Sequence, residues 1–150
     1  MGDIPGASGA GEGYRVAAAG DAALVLRRTD SALPNLALLD LIDPANPSLA
    51  GQASVAVGHG GDLCVAGRYA YLATSANAGE LLVVDIKDPK VMQLAATLDL
   101  PGNGDAHAVV VDKSLALVVR SSNSSHPELC LVDVSRPTAP RFVAGLRLGS

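Results

Sequence analysis

Short apolar runs recur along this chain, separated by clusters of Gly, Pro, Asp and Asn. The middle of the chain shows the pattern best. Leu63-Cys64-Val65-Ala66 stops at Gly67-Arg68, and Tyr69-Ala70-Tyr71-Leu72-Ala73-Thr74 follows. A small-residue loop, Ser75 to Gly79, leads to Glu80-Leu81-Leu82-Val83-Val84, and Met92 to Leu100 comes after one more turn. Runs this short, rich in aliphatic and β-branched residues and bounded by turn residues, predict strands rather than helices. The tight links between them predict one antiparallel four-stranded sheet. Leu81 to Val84 does not alternate with polar residues, so both faces of that strand are expected to be covered.

The pattern occurs twice more. Val109-Val110-Val111, Leu115 to Val119, Glu128 to Val132 and Arg141 to Leu148 form one copy; Val16 to Ala19, Ala22 to Leu26 and Leu36 to Leu39 belong to another. The hairpin positions Gly20, Gly67 and Lys113 are 47 and 46 residues apart. Leu38-Leu39-Asp40 returns as Val83-Val84-Asp85 and Leu131-Val132-Asp133, with the aspartates 45 and 48 residues apart. Each aspartate has a proline four residues on: Pro44, Pro89 and Pro137. The carboxylate of such an aspartate can accept from amides just ahead while the proline pre-sets φ, so these six residues read as structural turn formers.

A period in the forties made of four strands is the mark of a β-propeller blade. The expected fold is therefore all-β, a β-propeller segment of three four-stranded antiparallel blades over about residues 14–55, 56–101 and 102–150. Residues 1–13, with five glycines, read as a flexible arm. Propellers close with about four to eight blades, and an open stack exposes an apolar face at each end. The ring is thus expected to be completed by a second identical chain, giving a homodimer with six blades, or by the remaining blades of a longer chain.

Tyr69-Ala70-Tyr71-Leu72-Ala73 followed by Leu82-Val83-Val84-Asp85-Ile86-Lys87-Asp88-Pro89 resembles the LVIVD repeat of bacterial and archaeal β-propellers. The resemblance spans roughly residues 14–148. It implies stacked four-stranded blades, often on secreted or cell-surface proteins, with no shared catalytic residues. Two copies replace the Tyr-Ala-Tyr strand with Ala22-Ala23-Leu24 and Leu115-Ala116-Leu117.

Composition narrows the function classes. Hydrophobic residues make up 49% of the 150 residues but aromatics only 3%, so the core must be Ala, Val and Leu. A net charge of −4 argues against nucleic acid or an anionic membrane as partner. No apolar run approaches the ~20 residues of a membrane span. The first residues lack the basic start and apolar stretch of a signal peptide, which as written predicts a cytoplasmic chain; a longer precursor would make it secreted or cell-surface. Cys64 and Cys130 align with small or apolar residues of the other copies and read as buried free thiols.

Candidate chemistry is confined to the links between blades, which approach the channel of a propeller. Gly58-His59-Gly60-Gly61-Asp62 and Gly102-Asn103-Gly104-Asp105-Ala106-His107 are both Gly-rich, and both carry a His and an Asp. His59, Asp62, Asp105 and His107 are the candidate ligand-binding residues. Polar lining of a wet channel is the simpler reading, and a divalent metal held by imidazole and carboxylate the rarer one. No cofactor and no resident metal are expected. Nucleophile elbows and phosphate loops are absent from the sequence. His126, beside Ser121 to Ser125, reads as an exposed bystander, and the sequon Asn123-Ser124-Ser125 as coincidence. The expected function is a non-catalytic scaffold for structure or for protein or ligand binding; an enzyme or metalloprotein with a channel-mouth His/Asp site is the alternative.

Overall fold

Each apolar run forms a strand in the structure, a computed structural model that describes residues 11–29, 34–58, 61–121 and 126–148. β1 (Gly11–Ala18), β2 (Ala22–Thr29), β3 (Leu36–Asp40) and β4 (Ser48–Ala53) form the first sheet. β5 (Gly61–Ala66), β6 (Tyr69–Thr74), β7 (Leu81–Asp85) and β8 (Gln93–Leu98) form the second. β9 (Ala106–Asp112), β10 (Leu115–Arg120), β11 (Leu129–Asp133) and β12 (Arg141–Leu146) form the third. All three are antiparallel meanders in chain order, as expected of propeller blades. β1 begins at Gly11, inside the segment read as an arm, because its first residues pair with the far end of β2 at Thr29 and Arg28.

The sheets share one register. Ala22 pairs with Asp40, Tyr69 with Asp85, and Leu115 with Asp133. Each third strand meets its fourth through an irregularity at the same place, Leu38/Leu39, Val83/Val84 and Leu131/Val132. The first hairpin of each sheet turns through a residue with left-handed φ: Gly20 at 65°, Gly67 at 61° and Lys113 at 55°.

The alternation of side chains along a strand divides the core in two. Leu24, Leu26, Leu36 and Leu38 of the first sheet pack on Ala70, Leu72, Leu82 and Val84 of the second. On the opposite face, Tyr71, Ala73, Leu81 and Val83 pack on Ala116, Val118, Cys130 and Val132 of the third. Leu81 to Val84 are therefore buried on both faces. Among the described residues only one face of the third sheet is covered: Cys130 and Val132 are buried, Leu129 and Leu131 half-buried. No helix among the described residues is long and apolar enough to cross a membrane.

Candidate functional site

The first strands of the three sheets, β1, β5 and β9, lie side by side, with β5 packed between the other two. Strand pairing places Arg15, Asp62 and Ala108 at equivalent positions, opposite Leu26, Ala73 and Val119. Asp62 links all three sheets. Its Oδ1 lies 3.3 Å from Arg15 Nε of β1, and its Oδ2 accepts from the Val109 amide of β9 at 3.2 Å. The Arg15 guanidinium also lies over the Tyr14 ring, 4.1 Å from its centroid, with Arg28 at 4.4 Å from the same ring. The carboxylate read from sequence as a ligand is thus engaged by a cation and an amide of its own chain.

The other candidates divide. Asp105 supplies its backbone carbonyl to the Ser121 amide at 2.8 Å, and His107 Nε2 lies 2.8 Å from Ser121 Oγ. His107 is exposed. His59 lies outside the described residues, as do Ser122 to Ser125 with the sequon and residues 1–10 of the arm. Among the described residues no group of three His, Cys, Asp or Glu side chains is placed to hold a metal ion. His126 is half-buried rather than an exposed bystander. Its ring fills the space beside Gly102, where an added Cβ would lie 2.1 Å from the imidazole. Both thiols are free. Burial, with the Asp62 charge second, pushes the Cys64 thiol up to about 11, and burial also raises Cys130. Neither carries the thiolate character that reactivity requires.

The turn residues make one motif three times. Asp40, Asp85 and Asp133 each accept through Oδ1 from the amide two residues on, Ile42, Lys87 and Ser135, at 2.9, 3.0 and 2.8 Å. Asp85 also pairs with Arg68, and Asp133 Oδ2 lies 3.7 Å from Arg141. The Arg68 guanidinium, then the Lys87 amide, holds the Asp85 carboxyl below the usual carboxylate range. Pro89 opens a short 3-10 turn, Pro89–Val91.

Sequence reading missed a second set. Asn35 Oδ1 accepts from the Val55 amide at 2.9 Å, Glu80 Oε2 from Leu100 at 2.8 Å, and Glu128 Oε2 from Leu148 at 3.1 Å. These residues tie the start of the third strand to the exit of the fourth, and they sit 45 and 48 residues apart, the same spacing as the turn aspartates. That spacing was the available signal. Side-chain chemistry hid it, because an amide stands where the other copies have carboxylates. Burial raises the Glu80 carboxyl above its ordinary value, against the Leu100 amide that stabilises its charge.

A groove of about 380 Å³ lies between the first and second sheets, lined by Val55, Ala76, Gly79, Leu82, Leu94 and Thr97 among others. Among the described residues none that lines it is charged, so they offer shape but no anchoring charge.

No curated protein matches the chain. A family model for the LVIVD repeat matches residues 57–99 and 103–145, more than half of the chain. The matched segments cover the second and third sheets, and the first repeats their strand order and register. With its repeats matched and its sheets built to one plan, the chain belongs to the LVIVD repeat family.

Proposed function

We propose that this chain is a non-catalytic propeller module, a structural or binding scaffold that self-assembles into a closed ring. The observation that carries this reading is the contrast between packed and open copies of the same position. Leu63 and Val109 are each 5% exposed between sheets, whereas their counterpart Val16 is 68% exposed on the open face of the first sheet. On the open face of the third sheet Val110 is 56% exposed and Val119 40%. Residues that faced water alone would have no reason to keep the apolar character of a blade interface. The polar groups of these first strands support a scaffold too, since Asp62 is engaged in holding sheets together.

Two copies would supply six blades, within the range in which propellers close. Light scattering behind a sizing column tests this. The expected mass is twice 15.1 kDa. A monodisperse monomer that binds no apolar-surface dye would overturn self-assembly, because its end faces would then have to be covered within one chain.

A further inference from the structure

The interfaces inside the chain indicate what the missing one requires. The amides of Arg27, Thr74 and Arg120 donate to the carbonyls of Asn35, Glu80 and Glu128. The side chains of the first three donate to the carbonyls of Pro34, Gly79 and Pro127, at 2.7, 2.7 and 2.8 Å. Backbone pairing therefore sets two series of equivalent positions, one at or near the end of each second strand and one just before each third strand.

Where the second and third sheets pack, these positions hold Glu80 and Arg120, 1% and 3% exposed. They hold neighbouring residues of one segment: Glu80 accepts from the Leu100 amide, and Arg120 Nη2 donates to the Pro101 carbonyl. Glu80 Oε1 and Arg120 Nη1 are both buried without a hydrogen-bond partner, and the two opposite charges act on each other through space without direct contact. Where the first and second sheets pack, the same positions hold Asn35 and Thr74, both neutral. Anion meets cation at one interface, and neutral meets neutral at the other.

This leaves Arg27 and Glu128. Leu24 and Leu26 face the second sheet, so Arg27 shares the open face of the first with Ala23 and Val25. Its Nε is buried and unpartnered. Glu128 stands at the exit of the third sheet, holding Leu148 as Glu80 holds Leu100.

We propose that Arg27 of one copy and Glu128 of a second supply the opposite charges of the interface between copies, the counterpart of Glu80 and Arg120 within the chain. The proposal rests on the ring reading and adds its polarity. Open faces packed head to tail bring unlike charges together over apolar ground, Val110, Val119 and Leu131 against Val16, Val25 and Leu39. Two first sheets packed on each other would set Arg27 against Arg27, so charge selects the arrangement that continues the blade order.

The experiment uses Arg27→Glu and Glu128→Arg, each alone and then mixed in equal amounts, with mass and sedimentation as readouts. Each single variant places like charges at both interfaces and is expected to raise the dimer Kd by about a hundredfold or more. In the mixture, Glu128 of the first variant meets Arg27 of the second across one interface. Across the other, the two substituted side chains meet as opposite charges of exchanged polarity, so the heterodimer should form at the wild-type concentration. A misfolded variant could not produce that rescue. Strand circular dichroism of Glu128→Arg, whose side chain holds one main-chain amide at a sheet exit, checks folding separately. Single variants as dimeric as the wild type would overturn the pairing and leave the ring standing. A monomeric wild type would overturn both.

Discussion

The Asp62 carboxylate of β5 accepts a hydrogen bond from the Val109 amide of β9 at 3.2 Å, across the boundary between the second and third sheets. The same carboxylate pairs with Arg15 of the first sheet, so one side chain bridges three repeats at their first strands. Asp62→Ala is expected to destabilise the fold by about 1 kcal/mol, because it strands the part-buried Val109 amide, while the exposed Arg15 returns to solvent. Asp62→Asn, which can still accept from Val109, should lose less. The midpoint of urea unfolding checks both. A rise in melting temperature on adding zinc that Asp62→Ala abolishes would return this residue to the role of metal ligand.

Asp85 holds the Lys87 amide on one oxygen and pairs with Arg68 through the other. Asp85→Ala should cost about 1–2 kcal/mol, more than Asp133→Ala, whose arginine is 3.7 Å away. The Asp85 carboxyl titrates below its unfolded value, so its contribution is fully present above about pH 4 and fades as pH falls through the folded value. The stability gap between wild type and Asp85→Asn should therefore be flat from neutrality to about pH 4 and shrink below it. Glu80 acts in the opposite sense: burial raises its carboxyl, so its ionisation subtracts stability as pH rises above the unfolded glutamate range. A gap that widened in acid would show that the turn does not depend on the ionised Asp85.

Gly51 of β4 lies directly under the 3-10 turn of the second sheet, where an added Cβ would be 1.7 Å from the Pro89 carbonyl oxygen. The obstacle is backbone and cannot rotate away. Gly51→Ala should cost about 1–3 kcal/mol and loosen the first sheet from the second. Denaturant unfolding and amide exchange in β3 and β4 check it; an unchanged midpoint would mean that the turn slides freely.

Lys113 occupies the left-handed hairpin position that glycine holds in the other copies, with φ of 55°. Lys113→Gly should stabilise the fold by about 0.5–1 kcal/mol through relief of that strain. Gly67→Ala should destabilise by a similar amount, and since its Cβ would meet nothing within 4 Å, the effect isolates backbone conformation. Thermal melts of the two variants should move in opposite directions.

The strands and their grouping into three sheets were legible in the sequence because each rests on local chemistry repeated at one spacing, and the same spacing marks the aspartates that accept from amides two residues on. Apolar runs select strands, glycine selects the hairpin, and aspartate with proline selects the turn. Which side of each strand would be covered also followed in part, since Leu81 to Val84 carries no polar face. The use of Asp62 was not legible. Its partners Arg15 and Val109 lie 47 residues away on either side, and nothing local marks them. Glu80 and Arg120 were hidden likewise, because a buried charge reads in sequence like any surface charge until packing removes water from it. Local propensity and periodicity determined the repeat. Only the stacking of one sheet on the next decided which polar groups are buried, which are joined, and which, as with Arg27 and Glu128, are left at an open end.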